Sequence, residues 1–354
     1  MKLGPRLPLL FALVATLNAQ ILPRILKPRE DRKQEREAPE LPKEPPAVAV
    51  ADTRNLVFEA SPLRAGGLLT GQAHKALQWV LKRGRPVVHL RAFVAGTGDV
   101  RRVQAIVSEV FTERRMPLPS LTVLETGPLA LEGAQVLFEA TEVDRHAVNP
   151  GGLAFVAGQG ATDGPQAIAR VRGVVRAAGA ASEDVLRVTC FLSRIDGSVE
   201  ARRAAFREFP KAAFTVVQRL RAPEEDGAVC EAVARLRQAP PGGVELSPEA
   251  ALIGPRRVAL TGGQLAFGFE EADARLAFER LGKSLEQVRA SYDGLAVARL
   301  YSLSRPIGEL ARKAAAPFFT GRAEPAATVL PVEGLPSIDA TFAVEAVAVL
   351  PGAR

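Results

Sequence analysis

The chain has 354 residues, 47% of them hydrophobic and 24% charged, enough for several compact cores and incompatible with global disorder. Two cysteines and three histidines exclude a disulfide-stapled scaffold and a Cys/His zinc cluster, so neither a metal nor a cofactor is expected. The formal charge of +7 is not gathered into a basic stripe with interleaved aromatics, so no nucleic-acid partner is expected either.

Residues 1–19 carry Lys2 and Arg6 ahead of the short apolar run Leu7 to Leu17, with Ala19 as the small residue before Gln20. This is the pattern of a signal peptide and predicts an exported protein, periplasmic or secreted. Residues 20–50 follow as a charged, proline-rich linker, with seven basic and six acidic residues between Gln20 and Ala49. Such a composition cannot repay the entropy of ordering. No later segment is apolar over eighteen residues, so no transmembrane segment is expected beyond the leader.

The remaining chain repeats one order of elements. In the first unit, residues 51–145, a strand at Asn55–Ser61 leads to a helix near Gln72–Arg83 and a strand at Pro86–Val94. A second helix follows at Asp99–Phe111, then a closing strand at Val136–Ala140. The second unit, residues 146–239, is the clearest. A buried strand ends at Gln159, and Pro165 opens a helix whose face is Ile168, Val171 and Val175, with Gly179 just past its end. A strand at Asp184–Leu192, a helix at Ser198–Phe209 and strands at Phe214–Leu220 and Ala228–Ala234 complete it. The third unit, residues 244–354, has a longer first helix near Ala272–Ser291, a strand at Leu295–Leu303, a helix at Pro306–Phe319 and a closing strand at Phe342–Ala348. From Phe93, Phe191 and Tyr301 to the closing-strand glutamates Glu139, Glu231 and Glu345 the chain runs 46, 40 and 44 residues.

Several of these residues resemble the RidA/YjgF reactive-intermediate deaminase family. They are Phe155-Val-Ala-Gly-Gln159, Ser182-Glu-Asp-Val-Leu-Arg-Val-Thr-Cys-Phe-Leu192 and Glu231-Ala-Val-Ala234 in the second unit. In the third they are Thr261-Gly-Gly-Gln264, Pro325-Ala-Ala-Thr328 and Val344-Glu-Ala-Val-Ala348. The resemblance implies an α+β fold of three tandem chorismate-mutase-like units, each a mixed sheet with two helices on one face. The units would join as an intramolecular pseudo-trimer, and the protein would therefore be a monomer. Ligand clefts are implied where units meet, with Gln159, Thr261, Gln264, Arg202 and Arg312 as cleft candidates. The first unit is the most degraded copy.

The family's activity, hydrolysis of 2-imino or enamino acids to 2-keto acids and ammonia, is implied to need an arginine whose guanidinium forks onto the substrate carboxylate. Leu121, Ala212 and Ala327 are the matching positions, and none is arginine. Glu139, Glu231 and Glu345 remain as candidate catalytic carboxylates, either lining the clefts or satisfied at a strand edge by backbone or by a neighbouring unit's arginine. A helix position where the family places asparagine reads Gln104, Arg202 and Arg312, so a relocated cation could still hold a small anionic metabolite. Three function classes follow: a metabolite-binding protein, a divergent deaminase, and a structural or partner-binding pseudo-trimer with vestigial clefts. Cys190 and Cys230 fall on strands the family fold makes neighbours; buried thiols are the expectation, a disulfide the alternative.

Overall fold

A computed structural model describes residues 43–96, 99–221, 227–319 and 324–352, so the expected signal peptide and most of the linker lie outside the described residues. The first unit contains β2 (Leu56–Ala60), α1 (Leu69–Leu81), β3 (Val87–Ala95), α2 (Arg102–Glu113), β4 (Ser120–Thr126) and β5 (Val136–Val143), preceded by β1 (Val48–Asp52). The second contains β6 (Leu153–Ala161), α3 (Gly164–Ala177), β7 (Val185–Leu192), α4 (Ser198–Glu208), β8 (Ala213–Gln218) and β9 (Ala228–Arg235). Short strands β10 (Val244–Leu246) and β11 (Ala250–Ile253) precede the third. It comprises β12 (Arg257–Thr261), β13 (Gln264–Phe267), α5 (Glu271–Glu286), β14 (Leu295–Ser302), α6 (Arg305–Ala315), β15 (Ala326–Pro331) and β16 (Ala340–Val349).

Local chemistry sets the boundaries. Asp163 accepts from the Gln166 N–H and proline occupies the first turn of α3, which satisfies its orphan donors; Gly179 then ends it at φ +74°. Ser304 caps α6 in the same way, accepting from Ile307. In every unit the middle strand is parallel to one neighbour and antiparallel to the closing strand, as in β3 with β4 and β5. The same holds for β7 with β8 and β9, and for β14 with β15 and β16. The apolar faces of each helix pair pack on one face of their own sheet, giving three separate cores. Three mixed sheets with two helices each are the α+β architecture expected from the repeat.

The opposite sheet faces turn towards one another. Two further apolar clusters draw from all three units: one gathers Phe58, Phe155 and Val347, the other Phe93, Phe191 and Tyr301. These clusters lie on the side away from the helices, so the units meet sheet to sheet around a common axis.

Two expected boundaries are corrected by strand pairing. The linker was expected to run to residue 50, yet β1 begins at Val48 and pairs antiparallel with β12, in register from Val48 opposite Thr261 to Asp52 opposite Arg257. The third unit was expected from residue 244, yet β10 and β11 join the second unit's sheet, β11 lying against β6. Each leader strand therefore completes the sheet of a unit other than the one it introduces. Its backbone groups find partners about two hundred residues away in one case, and both contacts lock neighbouring units together.

Candidate functional site

The three glutamates do not line clefts; they converge on the axis. Glu139, Glu231 and Glu345 sit opposite Arg91, Thr189 and Arg299 in the three antiparallel strand pairs, and alternation points all six side chains inward. Arg91 of the first unit, with no exposed surface, donates through Nε to Glu139 at 3.0 Å and through Nη2 at 2.5 Å. Its Nη1 lies 2.6 Å from Glu231 of the second unit. Arg299 of the third unit bridges the same Glu231 at 2.7 Å and its own Glu345 at 3.2 Å. Thr189, where units one and three have arginine, donates to Glu139 at 2.5 Å. The second unit supplies its cation two residues earlier: Arg187 approaches Glu139 at 3.7 Å and lies over the Phe58 ring. Three arginines thus face three glutamates, and Tyr301 and His89 complete the layer through Glu345.

Burial opposes every charge here, and mutual attraction overrides it for most of them. Burial pushes Glu139 up, but Arg91 and Arg187 hold it down at about 2. Glu231 and Glu345 are likewise lowered against the cost of burial, Glu231 by Arg299 and Arg91 and Glu345 by His89, Arg299 and Arg91. Burial brings Arg187 down to about 10, and it wins over Glu345 at His89, which is held below the usual imidazole range. Carboxylates so strongly engaged have no free lone pair facing solvent and no proton to exchange near neutrality. Through these ion pairs each glutamate is joined to an arginine, and Glu231 to arginines of both other units.

The clefts lie further out, and corresponding elements build each of them. Between the first and third units, a cavity of about 210 Å³ is lined by Gln104 from α2, Leu121 and Thr122 from β4, and Gly262, Gly263 and Gln264 from the partner unit. Pro45, Pro46 and Ala47 also line it, tied down where the Ser108 hydroxyl donates to the Lys43 carbonyl. Among the described residues no charged side chain lines this cavity. Between the second and first units, another cavity of about 210 Å³ is lined by Arg202 from α4, by Ala213 and Phe214, and by Ser61, Pro62 and Leu63 opposite. Glu59 also reaches it but is ion-paired with Arg83 and Arg85. Where the third unit meets the second, the Gly158 N–H donates to the Thr328 hydroxyl at 2.7 Å. A Cβ on Gly158 would stand 2.6 Å from the Thr328 methyl, so glycine is what lets the two units close there.

Strand register corrects one expected position. Thr122 pairs with Arg91, Thr215 with Thr189 and Thr328 with Arg299, so the residues preceding these threonines are equivalent. They are Leu121, Phe214 and Ala327. Ala212, the expected match in the second unit, lies two residues early and packs on that unit's core. Phe214, not Ala212, is the residue in register with Leu121 and Ala327, and none of the three is arginine.

The other cleft candidates divide. Gln264 reaches its cavity, and both Gln159 and Gln264 fold their amides back onto the carbonyl two residues earlier. Thr261 is instead buried within its sheet, accepting the Ala346 N–H at 2.8 Å. Arg202 lines a cleft; Arg312 is exposed on α6. Sequence reading missed Arg91, Arg187, Arg299 and His89. The available signal was a single basic residue in the middle of strands otherwise apolar on both faces, with a glutamate on the closing strand.

Cys190 and Cys230 stand directly opposite one another on β7 and β9 and form a disulfide, where buried thiols had been expected. Among the described residues no group of His, Cys, Asp and Glu is arranged to hold a metal ion, and no helix is long and apolar enough to cross a membrane.

No protein-family model and no curated protein matches the chain. Among solved structures it is similar to a member of the YjgF/YER057c/UK114 family from Mycobacterium tuberculosis. The identity is 24%, over 28% of this chain and 83% of that one, with a TM-score of 0.23. RidA from an Antarctic Psychrobacter is similar at 18% identity, over 26% of this chain and 80% of that one, with a TM-score of 0.24. A YjgF-family protein from Neisseria meningitidis is similar at 12% identity over 27% and 82%, with a TM-score of 0.26. Each match spans most of the other chain and about a quarter of this one.

Proposed function

We propose that the protein binds a small anionic metabolite without hydrolysing it, in the cleft between the second and first units. The observation that carries this reading is Arg202. It brings a guanidinium to a cavity in which Phe214 occupies the position the resemblance assigns to a carboxylate-binding arginine. Arg202 lies over the Phe206 ring, 5.7 Å from its centroid, and Phe206 in turn packs against Phe214. The stack limits the arginine's freedom, which lowers the entropic cost of engaging an anion. About 210 Å³ suits an anion of a few carbons rather than a nucleotide.

Hydrolysis is not expected, because the three candidate glutamates are engaged on the axis and Glu59, which reaches this cleft, is ion-paired. The cleft that Gly158 and Thr328 close, and the uncharged cleft at Leu121, have diverged from the one at Arg202. Tethering permits this, since each cleft of a single chain mutates alone. We further infer a monomeric particle in an oxidising compartment. In support, covalently joined units supply one another's missing surfaces, and the only two cysteines of the chain are paired.

Calorimetry with 2-oxobutyrate tests the central reading. Wild type is expected to bind, and Arg202→Ala to bind about tenfold more weakly, the worth of one charge-assisted contact. Equal affinity in the two proteins, or turnover of a 2-imino acid by the wild type, overturns it.

A further inference from the structure

A third cavity, of about 630 Å³, lies between the segment leading into the third unit and the turn that joins α5 to β14. Arg256, Arg289, Tyr292, Asp293, Phe318 and Phe319 line it. The three aromatic rings form one half-buried wall: Tyr292 and Phe318 have centroids 5.0 Å apart, and Tyr292 and Phe319 6.3 Å. The Tyr292 hydroxyl donates to the Phe278 carbonyl, which fixes the ring. Arg256 donates to the Gly242 carbonyl at 3.0 Å, and its guanidinium occupies the space a Cβ on Gly243 would need. One cation is thus locked in place beside an aromatic surface.

The second cation is conspicuous by its backbone. Arg289 has φ +59°, and with Arg115 it is one of two non-glycine residues in the left-handed region among those described. Its N–H donates to Glu286 three residues back, and the next N–H, of Ala290, donates to Leu285 five residues back. The second unit makes the same turn at the end of α3, where Gly179 donates to Arg176 and Ala180 to Val175. Its residue is glycine, at φ +74°. The equivalent turn after α1 also carries a glycine, Gly84 at φ +67°. Two units use the residue that adopts this conformation freely; the third uses an arginine at a steric cost and places it on the rim of a cavity.

We propose that this cavity binds a small planar aromatic anion, with its ring against Tyr292, Phe318 and Phe319 and its carboxylate or phosphate held by Arg289 and Arg256. The volume fits a one- or two-ring molecule. Among the described residues the cavity carries two arginines against one aspartate, so it selects for negative charge; the aromatic wall selects for a flat face. This site is independent of the Arg202 cleft and stands or falls separately from it.

The turn itself supplies the decisive variant. Arg289→Gly installs the residue the other units use, so the protein is expected to melt at the same temperature or higher while losing the ligand. Titration of the full chain with indole-3-carboxylate is the measurement, with indole-3-carboxamide and inorganic phosphate as probes of ring and charge alone. Wild type is expected to bind the carboxylate with a dissociation constant below about 1 mM, Arg289→Gly about tenfold more weakly, and the amide and phosphate both more weakly than the carboxylate. Phe318→Ala is expected to weaken the carboxylate and leave phosphate unchanged. Equal affinity of wild type and Arg289→Gly, equal affinity for carboxylate and amide, or no binding of the carboxylate at 10 mM, on the order of the weakest specific contact, overturns the proposal.

Discussion

The axis and the clefts began as repeats of the same strands, and they have diverged in opposite ways. On the axis, charge balance survives a change of residue: where the second unit lost the arginine opposite its glutamate, Arg187 appears one strand period earlier on the same face. In the clefts, the equivalent positions hold leucine, phenylalanine and alanine, and the helix positions above two of them hold glutamine and arginine. The difference follows from solvent. An uncompensated charge in the buried layer costs several kcal/mol, so any change there must be answered by another. A cleft open to water imposes no such penalty, and each can lose, keep or relocate its cation alone.

The sharpest way to break that contrast is Arg91→Ala. It removes the guanidinium that touches Glu139 and Glu231 at once and leaves two buried carboxylates short of a partner. Unfolding by denaturant should show a loss of about 3–5 kcal/mol. A loss below about 1 kcal/mol would mean that water or rearranged neighbours satisfy the glutamates, and the axis would then not be the rigid element described.

Arg187 gives a finer test, because it asks whether position or balance matters. Arg187→Thr leaves two arginines for three glutamates and is expected to cost about 1–3 kcal/mol. Adding Thr189→Arg returns the second unit to the pattern of the other two and should recover at least half of the loss. Failure of the second change to recover anything would show that the layer has repacked around the displaced cation.

Acid should act most strongly on the axis, where the depressed carboxylates are fully buried and the signs of the groups agree. Glu139, held at about 2, and its two partners are depressed in the folded protein, so their contribution is present above the unfolded carboxylate range near 4.5 and is lost as pH falls towards 2. His89 is depressed too; the unfolded chain takes its proton first, which begins to erode stability below about pH 6.5. Melting temperature should therefore fall steadily from pH 7 to pH 3, and Arg91→Ala should flatten the carboxylate part of the profile. A wild-type profile flat over that range contradicts the burial of these charges.

Much of this architecture could be read from residues, and the parts that could not share one cause. The helices and strands of the second unit were legible because caps, periodicity and Gly179 are local signals. The three glutamates were legible as equivalents, yet not as axial, because only pairing with Arg91 and Arg299 reveals which way they face. Strand β1 carries no local sign that its partner is β12, and the shift from Ala212 to Phe214 depends on a parallel register set by β7. The cleft candidates named by the resemblance divide accordingly: Arg202 and Gln264 line cavities, while Thr261 is claimed by its own sheet.

The smallest expected effect concerns the stability of Arg202→Ala, the variant whose ligand affinity should fall. Arg202 is exposed on α4, its guanidinium rests on a half-exposed Phe206, and the core beneath is built from Ala201, Ala204 and Ala205 on the other side of the helix. Truncation removes one cation–aromatic contact and places alanine, the best helix former, in a helix interior, so the two changes oppose each other. Denaturant unfolding should move by no more than about 0.5 kcal/mol in either direction. Set beside Arg91→Ala, this assigns each arginine to its region, one holding the units together and one facing a ligand. A loss above about 2 kcal/mol would instead make Arg202 part of the seam between the second and first units, and the cavity beside it a packing gap rather than a binding site.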